Sequence, residues 1–447
     1  MSNSDLLVLT CHYWKEFEMP TYLEGLLAPV ADEIEAVDLP VSGELPAELV
    51  GRYFRNGPNP LPGQDPGHWF GGEGMIHGVR IRDGRAEWYR NRWVKTTRLA
   101  GAEYLTDAGL DRAAVNANTN VIRHAGKIFA LVESGFPYEM TPELDTVGVC
   151  DFGGRLTTAM TAHPKEDPVT GDLHFFGYGF TPPYLTYHRL DKSGELVESR
   201  DIDVPGPTMM HDFSITENHV IWLDLPLVFE FERVGNGMPY VWSDSYGARI
   251  GVMPTGGDVQ WFDVDPCYVF HVGNAYEDQG RIVLDAVRYA RDKFADLWGE
   301  ISGAPNPAAS AGGSGLYRWI LDPASGKVVE ELRDDRDIEF PSFNEEHLGR
   351  PSKFLYTVTD SAVVKYDTGS GRSEVNELGK NPGEAEFVRK QDAETEDDGW
   401  LMSIVTEHDG SGSELLVLDA QTLEFTASIR LPRRVPSGFH GNWLPDA

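Results

Sequence analysis

Residues 187–199 read YHRLDKSGELVES: an aromatic strand-like run, a turn built from Asp, Ser and Gly, and a second strand-like run. The same form returns, with variation, at 318–331 (RWILDPASGKVVEE), 364–375 (VKYDTGSGRSEV) and 415–428 (LLVLDAQTLEFTAS). Asp, Ser, Thr and Gly between two such runs favour the short loop of a β-hairpin. Each stretch therefore predicts the outer hairpin of a propeller blade.

Further strand-like runs lie between turn signals outside these hairpins. They are 126–133 (GKIFALVE), 173–180 (LHFFGYGF), 219–226 (HVIWLDLP), 281–290 (RIVLDAVRYA), 353–360 (KFLYTVTD) and 400–409 (WLMSIVTEHD). Division of the chain into seven blades gives about 64 residues each, which exceeds a WD40-type blade and leaves room for loops. Residues 303–315 and 391–399 are predicted to be exposed loops, and the chain contains no linker. We expect residues 1–447 to form one domain.

The charge of the chain excludes some partners. Asp and Glu number 71 against 38 Lys and Arg, a formal net charge of −33. Such a surface repels phosphate, so we expect no nucleic-acid binding and no attraction to anionic lipid head groups. Apolar contact with a membrane is not excluded by this argument.

The cysteines and the N-terminal sequence indicate a cytoplasmic protein. The three cysteines, Cys11, Cys150 and Cys267, are odd in number and lack C-x-x-C spacing, which argues against a disulfide framework. The N-terminus has no basic region followed by an apolar stretch of signal-peptide length. No segment approaches the roughly 18 apolar residues of a spanning helix.

Four histidines stand far apart, each in a distinctive frame. They are His163 in TAHPK, His211 in MMHDF, His271 in VFHVGNA and His440 in FHGNW. Neutral imidazole binds iron, copper, zinc and nickel. In a propeller the innermost strands of different blades surround one axis, so residues distant in sequence can meet there. The spacing therefore suits one metal site shared by several blades.

The motifs GRYFRNGPNP (51–60), HWFGGEGMIH (68–77) and the C-terminal FHGNW occur together and in order. With these motifs the chain resembles the carotenoid cleavage oxygenases, which include apocarotenoid oxygenases, lignostilbene dioxygenases and the retinoid isomerase of the retinal pigment epithelium. The resemblance covers nearly the whole chain. It implies an all-β, seven-bladed propeller with Fe(II) on its axis under a cap of loops and short helices.

The resemblance also implies the site residues. The four framed histidines, His163, His211, His271 and His440, match the iron ligands. Three glutamates match the carboxylates behind those ligands: Glu133, Glu339 and Glu384, with Glu386, two residues further on, as the alternative to Glu384. Such carboxylates fix the imidazole tautomer and offset the charge of the metal. Because iron takes six ligands, four histidines leave positions for O2 and a water.

The family implies cleavage of a C=C bond with O2 to give two carbonyl products. Relatives that cleave stilbenes bind the phenol through a tyrosine and a lysine, which correspond here to Trp93 and Val132. Since a site without its polar partner discriminates against such a substrate, we expect a carotenoid or apocarotenoid. The alternative substrate is a stilbene or phenylpropene. More distant alternatives are retinoid isomerisation and a non-enzymatic binding propeller.

Aromatic residues near the motifs are predicted to line a tunnel for a conjugated, apolar substrate. This set, which includes the Trp93 and Val132 positions, is Phe54, Trp69, Phe70, Trp93, Val132, Phe136, Tyr138, Phe270 and Phe343. The segment near 225–242 is similar to the region by which relatives enter a bilayer, so the resemblance predicts peripheral membrane contact; the alternative is an ordinary blade strand followed by a loop. Its apolar members are Leu225, Leu227, Val228, Phe229, Phe231, Met238, Tyr240 and Trp242.

Overall fold

Seven antiparallel β-sheets form the blades of a propeller in a computed structural model of the chain. The structure describes residues 20–235, 237–302 and 314–446. The prediction of an all-β, seven-bladed propeller is confirmed. The assignment of residues 1–447 to one domain stays a prediction, and Cys11 and most of the 303–315 loop lie outside the described residues.

Five blades have four strands, which are given in order from the innermost strand outward. Blade 2 comprises Asn120–His124, Lys127–Leu131, Tyr138–Met140 and Thr146–Val149. Blade 3 comprises Lys165–Glu166, Leu173–Tyr178, Leu185–Leu190 and Leu196–Ile202. Blade 4 comprises Ser214–Ile215, His219–Asp224, Arg249–Pro254 and Gln260–Asp263. Blade 5 comprises Val272–Asp278, Arg281–Tyr289, Ser314–Asp322 and Lys327–Asp334. Blade 6 comprises Glu339–Ser342, Phe354–Val358, Ala362–Asp367 and Ser373–Glu377.

The two remaining blades combine strands from both ends of the chain. Blade 1 comprises Gly441–Pro445, Gly51–Pro58, Gly74–Arg82, Arg85–Trp93 and Glu35–Val37. Blade 7 comprises Asn381–Pro382, Glu386–Arg389, Gly399–Thr406, Ser413–Asp419, Phe425–Arg430 and Val41–Gly43. The C-terminal strand is thus innermost in blade 1, and an N-terminal strand is outermost in blade 7. This exchange closes the ring, because each end of the chain is hydrogen-bonded into a sheet formed mainly elsewhere.

The hairpin prediction holds in all four cases. The outermost pairs of blades 3, 5 and 6 coincide with the hairpins at 187–199, 318–331 and 364–375. The hairpin at 415–428 is also formed, although blade 7 adds Val41–Gly43 outside it. Residues 391–398 connect two strands of blade 7, as the acidic-loop prediction requires.

Burial explains why some strands have no alternating pattern. Gly399–Thr406 is buried along its whole length, since neighbouring blades cover both faces of a central strand. The outermost strand Ser373–Glu377 is mostly exposed. Between blades 3 and 4, Trp222 is fully buried against Phe213, Phe176 and Tyr187, with ring centroids 5.6–5.9 Å away. Such interlocked aromatic rings make up the core between blades.

Short helices and two small hairpins occur outside the blade strands, and those that border the cavity, such as Trp69–Gly71, form its cap. The 3-10 helices are Thr21–Leu23, Gly25–Leu27, Trp69–Gly71, Phe231–Arg233 and Glu345–His347. The hairpins pair Leu105–Thr106 with Gly109–Leu110 and Leu227–Phe229 with Tyr240–Trp242. One α-helix, Arg291–Ser302, places Trp298 against Phe70 and Phe270. Among the described residues, no helix is long and apolar enough to cross a membrane.

Candidate metal centre

The four framed histidines lie at the inner ends of four blades. His271 and His440 directly precede the innermost strands of blades 5 and 1, and His163 and His211 lie two and three residues before those of blades 3 and 4. His163, His211 and His440 are 5–7% exposed, and the His271 side chain is 12% exposed. The blades therefore direct four buried imidazoles towards the same axis, as the propeller prediction requires.

Distances show that the rings meet. The Nε2 atom of His211 lies 3.0 Å from that of His163 and 3.3 Å from that of His271. Potential ligand atoms of these three residues all lie within 4.8 Å of one another. The His440 ring completes the group, with its centroid 4.6 Å from that of His163 and 4.8 Å from that of His271.

Carboxylates contact the outer nitrogens of three rings. Glu339 Oε2 lies 2.6 Å from His271 Nδ1, and Glu384 Oε2 lies 3.1 Å from His440 Nδ1. Glu133 Oε1 lies 2.5 Å from His211 Nδ1, at ion-pair distance but outside hydrogen-bond geometry. The structure thus brings each sequence-predicted glutamate to one histidine. It settles the choice between Glu384 and its neighbour Glu386 in favour of Glu384 for contact with His440.

His163 differs from the other three. Among the described residues, no carboxylate contacts its ring. Its backbone N–H instead donates to Thr161 Oγ1 at 3.2 Å, and the nearby Lys165 ammonium pairs with Asp212 at 2.9 Å. Backbone placement rather than a carboxylate therefore sets the position of this ring.

This donor set fits a metal cation. A neutral imidazole whose Nδ1–H faces a carboxylate presents the Nε2 lone pair at its other end. Two such lone pairs about 3 Å apart repel unless a cation lies between them. Nitrogen ligands bonded at about 2.1 Å and at right angles would themselves be about 3.0 Å apart, close to the observed separations.

The environment shifts the pKa values of these groups in different directions. Burial, reinforced by the neighbouring histidines, holds the pKa of His163 well below its usual value. Burial also lowers the pKa of His271, although Glu339 opposes this shift. For His211 the effect of Glu133 outweighs burial, and the pKa is raised. Burial would raise the pKa of Glu339 and Glu384, but His271 and His440 respectively outweigh it and lower both.

Further residues orient the carboxylates, and the sequence did not single them out. The hydroxyl of Tyr178 donates to Glu133 at 2.6 Å, and that of Tyr289 donates to Glu339 at 2.7 Å. The backbone N–H of Phe340 also donates to Glu339 at 2.6 Å. Phe340 has φ 52°, an unfavourable backbone conformation for its side chain, and its ring stacks on His271. Both tyrosines lie at the ends of strand-like runs, which is too weak a signal to assign this role.

A cavity of about 1120 Å³ reaches the histidines. Of the residues predicted to line a tunnel, four lie on its wall: Trp69, Phe70, Val132 and Phe270. Their contact with a substrate stays a prediction. The cavity also borders His211, His271 and His440 directly. A bound molecule could therefore lie beside the imidazoles.

The other five predicted tunnel residues are not on the cavity wall, which corrects the sequence analysis. Three are buried in the core between blades: Phe54, Tyr138 and Phe343. Phe136 packs against a neighbouring core cluster. Trp93 is half-buried, and its indole N–H donates to Asn59 O at 2.9 Å. Proximity to a motif therefore does not separate wall residues from packing residues.

The outer part of the cavity is apolar. Phe180 and Phe229 line it and stack with ring centroids 4.7 Å apart, and Phe231 packs edge-on to both. Phe231 is 59% exposed and Val234 is 45% exposed. We call Phe180, Phe229, Phe231 and Val234 the apolar rim.

The rim only partly matches the predicted membrane segment, which is a further correction. Leu225 and Leu227 are buried because they belong to the hydrophobic core, and the buried Met238 lines the cavity. Phe180 comes from a different part of the chain, between two strands of blade 3. A contiguous sequence window could not have included it.

Comparisons with known proteins agree with this geometry. Residues 27–445 match the family model described as retinal pigment epithelial membrane protein. A carotenoid cleavage oxygenase of Mycobacterium tuberculosis is 42% identical, over 95% of this chain and 97% of its own length. The chain belongs to the carotenoid cleavage oxygenase family. As a member it is an enzyme of the oxygenase class.

Solved structures of the family have the same fold. A lignostilbene dioxygenase of Pseudomonas brassicacearum superposes with a TM-score of 0.85 at 28% identity, covering 96% of this chain and 99% of that one. A cobalt-substituted apocarotenoid oxygenase of Synechocystis superposes with a TM-score of 0.81 at 26% identity, covering 94% and 97%. That relative was solved with cobalt substituted into it.

Proposed function

We propose that this protein binds Fe(II) through His163, His211, His271 and His440. With O2 it cleaves a C=C bond of a carotenoid or apocarotenoid to give two carbonyl products. The observation that carries the proposal is the meeting of four buried imidazoles at the inner end of a partly apolar cavity. When bound, iron supplies the redox chemistry that joins O2 to the alkene.

The residues of the chain have three tasks in this scheme. Glu133, Glu339 and Glu384 keep the Nδ1 side of their imidazoles occupied, so that each Nε2 faces the axis. Phe340 stacks on His271 and narrows the space beside the histidines. The cavity wall holds the polyene lengthwise, excludes water and places one double bond next to the centre. The scheme assigns no side chain the role of general acid or base.

The cavity supports a polyene substrate. Its volume of about 1120 Å³ slightly exceeds the usual range of small-molecule pockets, roughly 300–1,000 Å³. Val132 gives the wall an apolar side chain at the position of the phenol-binding lysine in stilbene cleavers. The mycobacterial relative, 42% identical, is itself named for carotenoid cleavage.

A stilbene or phenylpropene is the second candidate substrate, because the lignostilbene dioxygenase superposes with a TM-score of 0.85. A substrate panel separates the two. Protein reconstituted anaerobically with Fe(II) is mixed with apocarotenals or hydroxystilbenes under air, and the products are analysed by mass spectrometry. We expect cleaved apocarotenals and little cleaved stilbene. The opposite preference would replace the proposed substrate, and the absence of any cleavage would refute the enzymatic proposal.

We also propose that the apolar rim touches a membrane and receives the substrate from it. Phe231 and Val234 are exposed next to Phe180 and Phe229, which line the cavity. Such a cluster of exposed apolar groups at a cavity opening favours contact with an apolar phase. Glu230 and Glu232 are also exposed here, so the contact would be shallow and independent of anionic lipids.

Liposome flotation tests the membrane proposal. Wild-type protein should float in part with uncharged liposomes, and Phe231→Glu should remain in the soluble fraction. Phe425→Glu is the matched control, since Phe425 is 55% exposed on an outer strand of blade 7. Equal behaviour of the wild-type protein and Phe231→Glu would contradict the proposal.

A further inference from the structure

Arg55 is a buried cation without an ion-pair partner among the described residues. It lies in the blade 1 strand Gly51–Pro58, within the GRYFRNGPNP motif, and is 4% exposed. Its Nη2 donates to Pro436 O at 2.8 Å, the single protein acceptor that the described chain offers to its guanidinium. A guanidinium remains charged in proteins, and a buried charge without compensation is strongly destabilising. The guanidinium also borders the cavity, and its charge calls for a nearby anion as well.

Glu384 is the carboxylate best placed to balance it. Burial lowers the pKa of Arg55, and neighbouring Tyr53 and Glu384 oppose that shift. Gly383, which directly precedes Glu384, lies against the guanidinium: a Cβ there would be 3.4 Å from Nη1. On the other side, a Cβ on Gly438 would be 2.8 Å from Nη2. Two glycines thus leave room for the guanidinium next to the loop that carries Glu384.

The strand register of blade 1 places Arg55 opposite the residue that follows His440. Arg55 pairs with Gly441 across blade 1. The backbone N–H of Gly441 donates to Glu384 Oε2 at 2.9 Å, and that same oxygen lies 3.1 Å from His440 Nδ1. Arg55, Glu384 and His440 therefore lie in series, from blade 1 through blade 7 to the propeller axis.

The charges of the centre also call for one more cation. Three buried carboxylates and one divalent metal ion leave a net charge of −1. Arg98 lines the same cavity, but its charge is already compensated by Glu73, which lies 3.0 Å away. Arg55 would offset one unit of negative charge in this group, which also includes Glu386 close to Glu384.

We propose that Arg55 is a positioning residue, which holds the Glu384 carboxylate in place behind His440 and thereby strengthens metal binding. This inference rests on the proposed iron site. Arg55 acts through Glu384 and does not itself touch the metal. Its effect therefore depends on its charge and on the presence of the Glu384 carboxylate.

Two substitutions separate charge from packing. Arg55→Met keeps most of the side-chain length and removes the charge, whereas Arg55→Lys keeps the charge and loses the planar fork. Fe(II) affinity is measured anaerobically by competition with a chromophoric chelator. We expect Arg55→Met to weaken Fe(II) binding by up to about 10-fold, the low end of the usual effect of removing support behind a metal ligand, because Arg55 acts only through Glu384. Arg55→Lys should recover most of that loss, and the control Arg98→Met should bind like the wild-type protein.

A double-mutant cycle tests whether the effect passes through Glu384. In a Glu384→Gln background, Arg55→Met should cause no further loss of Fe(II) affinity. It should also raise the thermal unfolding temperature of the metal-free protein relative to Glu384→Gln alone, since the uncompensated cation is gone. The second readout remains informative if Arg55→Met alone does not fold.

Several results would overturn the inference. They are wild-type affinity in folded Arg55→Met, equal losses in Arg55→Met and Arg55→Lys, an equal loss in Arg98→Met, or fully additive losses in the cycle. Failure of the wild-type protein to bind Fe(II) would instead refute the proposed iron site. The two failures are therefore distinguishable.

Discussion

The candidate metal centre has two unlike sides. On one side, carboxylates contact the rings of His211, His271 and His440. On the other side, His163 is placed by its backbone, with Thr161 and a lysine close by. A fourth carboxylate would add negative charge to a buried site that already holds three. The difference indicates that neighbouring carboxylates orient three of the imidazoles and influence their charge. The fourth imidazole, His163, is positioned by its backbone.

The largest expected effect comes from removal of a carboxylate-supported ligand. His271→Ala should lose bound Fe(II) and C=C cleavage together, because the ring contacts His211 on one side and Glu339 on the other. Metal analysis and turnover of the reconstituted variant provide the measurement. Full activity in an iron-free His271→Ala protein would contradict the assignment. His408→Ala is a control outside the centre, since His408 lies in a surface turn.

Removal of a supporting carboxylate should have the next largest effect. Glu339→Gln keeps the shape of the side chain but removes the charge that contacts His271 at 2.6 Å. We expect Fe(II) binding to weaken about 10–100-fold. Glu374→Gln, an exposed position on the outermost strand of blade 6, should leave the affinity unchanged. Equal affinities of Glu339→Gln and the wild-type protein would remove the distinction between the two sides.

Glu384→Gln should have a smaller effect than Glu339→Gln. The distance to His440 is 3.1 Å, and the backbone N–H of Gly441 shares the same carboxylate oxygen. A longer and shared contact transmits less of the carboxylate's charge to the imidazole. Chelator competition on both variants gives the order directly. A larger loss in Glu384→Gln would show that distance does not rank these contacts.

The smallest effect on metal binding is expected on the His163 side. Thr161→Val removes the hydroxyl that accepts the His163 backbone N–H and donates to His211 O at 3.4 Å, while no carboxylate is disturbed. Fe(II) affinity should change by less than about 3-fold, which corresponds to less than 1 kcal/mol. The free energy of unfolding should fall by about 1–3 kcal/mol, the cost of an unsatisfied buried donor. Urea unfolding of the metal-free variant measures this loss. A large loss of Fe(II) affinity with unchanged stability would contradict the proposed difference between the His163 side and the carboxylate side.

The sequence predicted the architecture better than the cavity. Hairpin turns such as 191-DKSG-194 are local signals, and each one occurs where the chain forms an outer blade hairpin. The four histidines were recoverable because each lies in a distinctive motif, the three glutamates were inferred from the family resemblance, and the structure brings all seven together. That they bind a metal stays a prediction.

Cavity residues were harder to predict because their position depends on packing between blades. Phe54 and Phe70 both lie in family motifs, but a strand directs one into the core and a short helix directs the other to the cavity. Tyr178 and Tyr289 support carboxylates through contacts that span 45 and 50 residues. No local pattern encodes contacts of that kind.

The central claim is that four imidazoles from separate blades bind one iron ion. Anomalous diffraction at the iron absorption edge, on crystals of anaerobically reconstituted protein, tests it directly. We predict one strong peak within bonding distance of the Nε2 atoms of His163, His211, His271 and His440. A peak elsewhere, or none between these rings in protein shown to contain iron, would contradict it.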